Sequence, residues 1–140
     1  MTSREVLGFE GAATKTFGFL AESRGFRKTF SSERRVRYES DKVYVEINHG
    51  DYDYEISITF GRRDAPEPER FDFTLFLRSV NPTFEKALGE RIADKPETVR
   101  DILDKLAAAL RDEGKDILTG NDAVFERMKS VRWWQFKPEA

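Results

Sequence analysis

The residues best equipped for chemistry are one histidine and the carboxylates that follow it. His49 precedes Asp51, Asp53 and Glu55, which alternate along one extended stretch. Imidazole and carboxylate groups can bind a metal ion or exchange a proton, but either role needs further groups to converge on them. The spacing also lacks the glycine and the final glutamate of an EF-hand calcium loop. We therefore predict no catalytic and no metal-binding residue here, and we interpret the segment around His49 as a solvent-exposed turn.

Two further patterns could indicate an enzyme. Glu39 and Glu46 could face each other across a hairpin, but a water-facing sheet does not separate the pKa values of an acid and a base. Gly8, Gly11 and Gly18 precede the first predicted strand, whereas the glycines of a nucleotide-binding loop follow one. Neither pattern predicts a catalytic site or a cofactor.

Aromatic and charged side chains favour binding instead. Trp133 and Trp134 lie beyond the last predicted helix, and large aromatic residues anchor partners in desolvated pockets. Alternatively, one tryptophan closes the end of the protein's own core. Arg37, Tyr44 and Glu46 lie on the polar face of the predicted hairpin, where charges would orient a partner. We predict these five residues as a partner-binding set.

The distribution of charge narrows the class of partner. The net charge is −2, whereas nucleic-acid-binding domains usually carry a strong basic excess. Nucleic acid is therefore not the expected partner. Bases are concentrated in residues 24–38 and acids in residues 51–72. On paired strands the two sets would lie opposite each other and stabilise the sheet; the alternative is that the bases and nearby aromatic residues contact RNA.

Hydrophobic alternation predicts the strands that position these residues. Residues 35–40, 43–48 and 52–60 alternate apolar and polar side chains, as half-buried antiparallel strands do. Residues 26–32 predict a shorter extended piece. Apolar residues also recur at every second position after the loop, at Phe71, Phe73, Leu75 and Leu77. This alternation predicts a further strand, unless the segment turns helical near Thr74. Between these strands, residues 62–70 contain Pro66, Pro68 and several acids, and predict a mobile loop.

Apolar residues at helical spacing predict helices on both sides of the strand region. The first helix contains Val6 to Leu20 and ends at Gly25. Pro82 opens a short helix, and Asp94 with Glu97 has the spacing of a capping box before the longest helix. Asn121 is predicted to cap the last helix.

Length and composition fit one domain. The chain has 140 residues, of which 39% are hydrophobic, and it has no cysteine. This size supports a single core, and we predict one α+β domain over residues 1–140. Its antiparallel sheet has about four strands and is covered on one face by the N-terminal helix and the C-terminal helices. The N-terminus shows no signal peptide or membrane span, which together with the absent cysteines predicts a cytoplasmic protein.

Several segments resemble small uncharacterised bacterial α+β proteins. Residues 19–26 fit FLxExxGF, residues 36–40 fit VxYES and residues 54–61 fit YEIxIxFG. Residues 118–125 are similar to an LLxGDxxxF ending, with Asn121 inserted before the aspartate. In size and architecture such proteins resemble immunity or accessory proteins of bacterial toxin systems. The resemblance implies binding and transfers no catalytic residue.

These observations predict a non-catalytic module for protein–protein interaction that presents its charged sheet face or its Pro-rich loop. The alternative is a small-ligand-binding or enzymatic domain with a pocket between sheet and helices. A third possibility is a homodimer formed through an unpaired strand edge.

Overall fold

A computed structural model describes residues 4–132, without the side chains of Arg4, Glu5, Phe84 and Ala87. Within this range the chain is an α+β protein with a five-stranded antiparallel sheet in the order β1-β2-β3-β4-β5. The predicted fold class is confirmed, with one strand more than expected. The strands are β1 (Arg27–Ser31), β2 (Arg35–Glu39), β3 (Val43–His49), β4 (Ile56–Arg62) and β5 (Phe71–Asp72). The helices are α1 (Arg4–Leu7), α2 (Phe9–Thr16), α3 (Phe19–Ser23), α4 (Phe73–Val80), α5 (Pro82–Leu88), α6 (Pro96–Glu113), α7 (Lys115–Leu118) and α8 (Asp122–Met128).

The hairpin of β2 and β3 has the predicted alternation. Val36 and Tyr38 are buried, and they pair with Ile47 and Val45 on the helix-covered face. Burial of this face fixes the register, because a shift of one residue would turn every apolar side chain to water. The turn at Ser40 is closed by its hydroxyl oxygen, which accepts from the backbone N–H of Val43 at 3.1 Å.

The next strand begins later than predicted. We expected residues 52–60, but β4 runs from Ile56 to Arg62. Tyr54 has φ +55° and Tyr52 is 96% exposed. The side chain of Asp53 accepts from the backbone N–H of Glu55 at 2.9 Å. This local turn withdraws the two tyrosines from the sheet and lengthens the connection between β3 and β4.

The segment after Phe71 turns helical rather than extended, which was the alternative noted for Thr74. Only Phe71 and Asp72 pair with β4. The Asp72 carboxylate then accepts from the backbone N–H of Leu75 at 3.0 Å and caps α4. All residues from Phe73 to Leu77 are buried. The alternation of apolar residues therefore does not correspond to a strand with one buried and one exposed face.

The N-terminal helix is interrupted, contrary to the single helix predicted. Gly8 has φ +68° between α1 and α2, a conformation that glycine adopts without steric cost. The predicted stop is confirmed: Gly25 has φ +74°, and the N–H of Phe26 donates to the carbonyl of Leu20 at 3.0 Å. Val6 is 62% exposed, so it does not belong to the buried stripe.

The C-terminal helices follow the predicted order, with one wrong cap. Pro96 opens α6, but its N-cap is Lys95, without a side-chain hydrogen bond; the capping box of Asp94 is not formed. Asn121 caps α8 as predicted, accepting from the N–H of Ala123 at 3.1 Å.

The core lies between the helices and one face of the sheet. Helix α2 packs on α6 and β2, while α4 and α6 pack on β4. Phe17, Ile47, Phe60, Leu103 and Phe125 are each fully buried. The opposite face of the sheet carries the polar set of β2 and β3, where the predicted partner-binding residues lie.

Candidate functional site

The outer face of the sheet carries a charged cluster, formed by Arg37, Glu39, Glu46, Arg63 and Arg70. Arg37 donates to Glu39 at 2.8 Å and to Glu46 at 3.3 Å. Arg63 lies 3.2 Å from the second oxygen of Glu39, and Arg70 lies 3.4 Å from that of Glu46. The hydrogen bond from Arg37 holds the pKa of Glu39 below its usual range. Each of the two carboxylates lies between two guanidinium groups.

The sequence suggested that Glu46 faces water. In the structure Glu46 is buried, with only 3% of its surface exposed. Glu46 pairs with Arg37 and not with Glu39 in the strand register. The two carboxylates thus share Arg37. The expected pairing of bases in residues 24–38 with acids in residues 51–72 does not form this cluster, because its acids are Glu39 and Glu46 and two of its bases are Arg63 and Arg70. Each charged side chain of the cluster thus lies within 3.4 Å of a partner of opposite charge.

Tyr44 is covered by the segment of residues 63–70. Its hydroxyl donates to the carbonyl of Glu69, and the guanidinium of Arg37 lies 4.0 Å from the centre of its ring. Burial raises the pKa of this phenol. Tyr44 is 7% exposed, so a partner would reach it only after residues 63–70 moved aside.

Residues 63–70 are tied down at Glu69. The Glu69 carboxylate accepts from the Arg62 backbone at 2.9 Å and from its guanidinium at 2.5 and 3.0 Å. Burial alone would raise the pKa of Glu69, but the Arg62 hydrogen bonds outweigh it and lower that pKa. Arg62 also lies 3.3 Å from Asp122 and 2.7 Å from Glu126. No pattern in the sequence indicates this anchor, since the prolines of residues 62–70 predict only a mobile loop.

His49 is buried, which corrects the solvent-exposed turn that we predicted. It is 2% exposed, its Nε2–H donates to the carbonyl of Ala93 at 2.8 Å, and its ring centre lies 5.3 Å from that of Phe9. The nearby Asp51 lies 2.5 Å from Arg34. Within residues 4–132 no three His, Asp or Glu side chains converge as metal ligands. The contacts of His49 are those of a core residue that fixes the end of β3.

The accessible part of the sheet is its β1 edge, which we define as Arg27, Lys28, Phe30 and Arg35. All five residues of β1 are exposed, and among the described residues β1 pairs only with β2. Phe30 is 42% exposed, and the Arg35 guanidinium lies 4.3 Å from its ring centre. A bulge between Lys28 and Phe30 turns Arg27 and Phe30 toward the outer face. These bases are visible in the sequence, but the order of the strands, which makes β1 an edge, is not.

Of the predicted partner-binding residues, three lie together. Arg37, Tyr44 and Glu46 are in contact on the outer face, but only Arg37 has a substantially exposed side chain, at 31%. Trp133 and Trp134 lie outside the described residues. The role of all five in binding stays a prediction.

Two surface clefts adjoin these features. The first, which we call the C-terminal groove, has a volume of about 830 Å³ and lies between residues 65–72, Leu75 and the end of α8. The second, of about 480 Å³, lies beside Phe30, Arg35 and Asn48. Neither lies in the middle of the sheet–helix interface, where Ile47 and Phe60 are fully buried. The alternative of a ligand pocket in that interface stays a prediction.

Comparisons with known proteins leave the function to be argued from this geometry. The chain matches no protein-family model, no curated protein and no solved structure. Across residues 4–132, no helix combines the length and the apolar character needed to cross a bilayer.

Proposed function

We propose that this chain is a non-catalytic interaction module that binds an acidic protein partner through the β1 edge. The observation that carries the proposal is the exposure of β1: every residue is accessible, and one side of the strand is unpaired within residues 4–132. An unpaired strand offers a row of N–H and C=O groups to an incoming strand. The partner would extend the sheet beyond β1.

Phe30 supplies an anchor for such a partner. Exposed aromatic residues become energetic centres of an interface once water is excluded around them. The cation–π contact with Arg35, at 4.3 Å, holds the ring on the outer face. Little side-chain ordering would then be needed on binding, which favours affinity.

The charge of the β1 edge selects the partner. Arg27 and Lys28 are the only charged residues in β1, and Arg35 adds a third cation beside Phe30, near the other end of the strand. Lysine, arginine and a bulge on an edge strand discourage indiscriminate pairing. They also disfavour a second copy of the same basic strand, whereas an acidic segment would gain from each contact.

The surrounding carboxylates favour protein over RNA. Arg34 and Arg37, which could have contacted phosphates, already lie against Asp51, Glu39 and Glu46. The resemblance to immunity and accessory proteins supports a cytoplasmic inhibitor of a bacterial toxin as the specific role. Products of neighbouring reading frames are therefore the first partners to test.

The experiment is co-expression of the chain with each neighbouring gene product, followed by co-purification and a growth assay for neutralisation. We expect one product to form a stable complex. The variant R27E/K28E should weaken it about tenfold or more, because two attractive contacts become repulsive. The matched control R100E/K115E makes the same charge change at exposed helix positions and should retain binding.

Three outcomes would overturn the proposal. The first is the absence of a complex and of neutralisation with every neighbouring product. The second is equal loss of binding in R27E/K28E and R100E/K115E. The third is tight RNA binding at physiological salt that R27E/K28E abolishes, which would identify the β1 edge as a nucleic-acid site.

A further inference from the structure

A third cleft lies between helices α2 and α6 and carries an excess of positive charge. Its volume of about 460 Å³ is that of a small-molecule site. Ala12 and Ala107 line it, and their small side chains leave room between the two helices where these pack together. The polar side chains of the lining are Lys15, Thr16, Arg100, Asp104 and Arg111.

Helical periodicity brings these polar side chains to one face of each helix. In α6, Arg100, Asp104, Ala107 and Arg111 recur at intervals of three or four residues, and residues at that spacing share a face. In α2, Lys15 and Thr16 follow Ala12 at the same intervals. At a rise of about 1.5 Å per residue, Arg100 and Arg111 start about 16 Å apart along α6. They therefore approach the cleft from its two ends.

The protein itself neutralises these cations only weakly. Within residues 4–132 neither Lys15 nor Arg100 forms an ion pair with a carboxylate. Arg111 lies 3.7 Å from Asp112, but both side chains are more than half exposed, and such a pair contributes little in water. Among the described residues of the lining, Asp104 is the only acid. Three positive charges thus line the cleft against one negative charge.

We propose that this cleft binds a small molecule with several linked anionic groups, of which a short chain of phosphates is the type. Phosphate oxygens accept hydrogen bonds from guanidinium and ammonium groups, and a guanidinium can donate to two of them at once. Arg100 and Arg111 enter from opposite ends, so a chain of phosphates gains contacts that a single phosphate does not. The inference is independent of the proposed function, since the cleft shares no residue with the β1 edge.

Titration of the full chain with inorganic tripolyphosphate tests this, with affinity measured by calorimetry at physiological ionic strength. Tripolyphosphate should bind at least about tenfold more tightly than inorganic phosphate, because more than one cation contacts it. In amide NMR spectra of the same titration, the largest shift changes should fall in residues 12–16 and 100–111. A nucleoside triphosphate that binds more tightly than tripolyphosphate would identify a phosphorylated small molecule as the ligand, and equal affinity would identify a free phosphate chain.

Removing two cations of the cleft should weaken binding. R100Q/R111Q changes two exposed side chains of α6 and should lower the affinity for tripolyphosphate about tenfold or more. The matched control R27Q/K28Q removes the same charge from exposed positions of β1 and should retain the affinity of the wild type. Lys15→Gln is a second variant of the cleft, which decides the test if circular dichroism shows that R100Q/R111Q does not fold.

The proposal is overturned if millimolar tripolyphosphate does not bind or binds no more tightly than inorganic phosphate. It is also overturned if R100Q/R111Q and R27Q/K28Q lose affinity equally, since the anion would then respond only to the charge of the whole protein. Single-stranded RNA that binds the cleft far more tightly than tripolyphosphate would identify a nucleic-acid site and would likewise overturn it.

Discussion

The guanidinium of Arg62 and the carboxylate of Glu69 form a two-pronged ion pair, with contacts of 2.5 and 3.0 Å. Through this pair the end of β4 holds residues 63–70 over Tyr44. The same arginine contacts Asp122 and Glu126 of α8. One side chain thus connects the sheet, its covering segment and the last described helix.

Replacing Glu69 should destabilise the protein in a pH-dependent way. Glu69→Gln removes the ion pair and leaves the charge of Arg62, a side chain only 15% exposed, without this partner. The free energy of unfolding at neutral pH should therefore fall by about 2–3 kcal/mol. The folded-state pKa of Glu69 is lowered, so its contribution is present above the unfolded-state pKa and is lost as pH falls through the folded-state value.

Urea unfolding of wild type and Glu69→Gln at several pH values measures this effect. The two should converge in acid. Glu67→Gln, an exposed neighbour on the same segment, should match wild type throughout. A stability difference that stays constant between neutral and acid pH would contradict the assigned role.

Asp72 should show the opposite pH dependence. Burial raises the pKa of Asp72, so the folded state favours the protonated carboxyl group. The stability that this group contributes at low pH is therefore lost as pH rises through the folded-state pKa. Asp72→Asn keeps a capping side chain for Leu75 and should flatten this dependence. Asp72→Ala removes the cap and should cost about 1 kcal/mol. Thermal unfolding across pH 3–7 separates the two variants, and an unchanged pH slope in Asp72→Asn would refute the argument.

Gly61 should not tolerate a side chain. A Cβ at this position would lie 2.5 Å from the carbonyl oxygen of Glu69 and 2.9 Å from the ring of Tyr44. Gly61→Ala should therefore lower stability by about 1–3 kcal/mol. Gly11→Ala is the matched comparison, because it meets no atom within 4 Å in helix α2, and it should stabilise by about 0.5–1 kcal/mol. Equal effects in chemical denaturation would contradict close packing of residues 63–70 on β4.

His49 should matter for stability and not for binding. His49→Phe keeps an aromatic ring beside Phe9 but removes the hydrogen bond to Ala93, which should cost about 1–3 kcal/mol. Tyr52→Ser, at the exposed turn nearby, should change stability by less than about 0.5 kcal/mol. Partner affinity of folded His49→Phe, measured by calorimetry, should equal that of wild type; a selective loss of affinity would assign His49 to the binding surface.

The sequence could predict elements whose burial is local and periodic. Val36, Tyr38, Val45 and Ile47 alternate because a single face meets the helices, and this pattern is visible in the residues themselves. The alternation after Phe71 predicted a strand, but residues 73–77 are helical and all buried. When every side of a segment is buried, its apolar residues do not distinguish the period of a helix from that of a strand.

The candidate site was less predictable because distant segments create it. Glu46 and Tyr44 look like outward-facing residues in the hairpin, and Arg70 and Glu69, more than twenty residues later, contact them. His49 is buried by its contacts with Phe9 and Ala93. Within residues 4–132, β1 is an edge because no strand pairs with its second side. Hydrophobic periodicity predicts where strands are but not their order in the sheet.

Hydrogen exchange of the complex tests the β1 edge most directly. The chain is mixed with the neighbouring gene product identified by co-purification, and amide exchange is compared in the free and bound states. We predict that the largest new protection lies in residues 27–31, because strand addition pairs the exposed amides of β1. Protection confined to the helical face, with β1 exchanging as fast in the complex as in the free chain, would contradict the account.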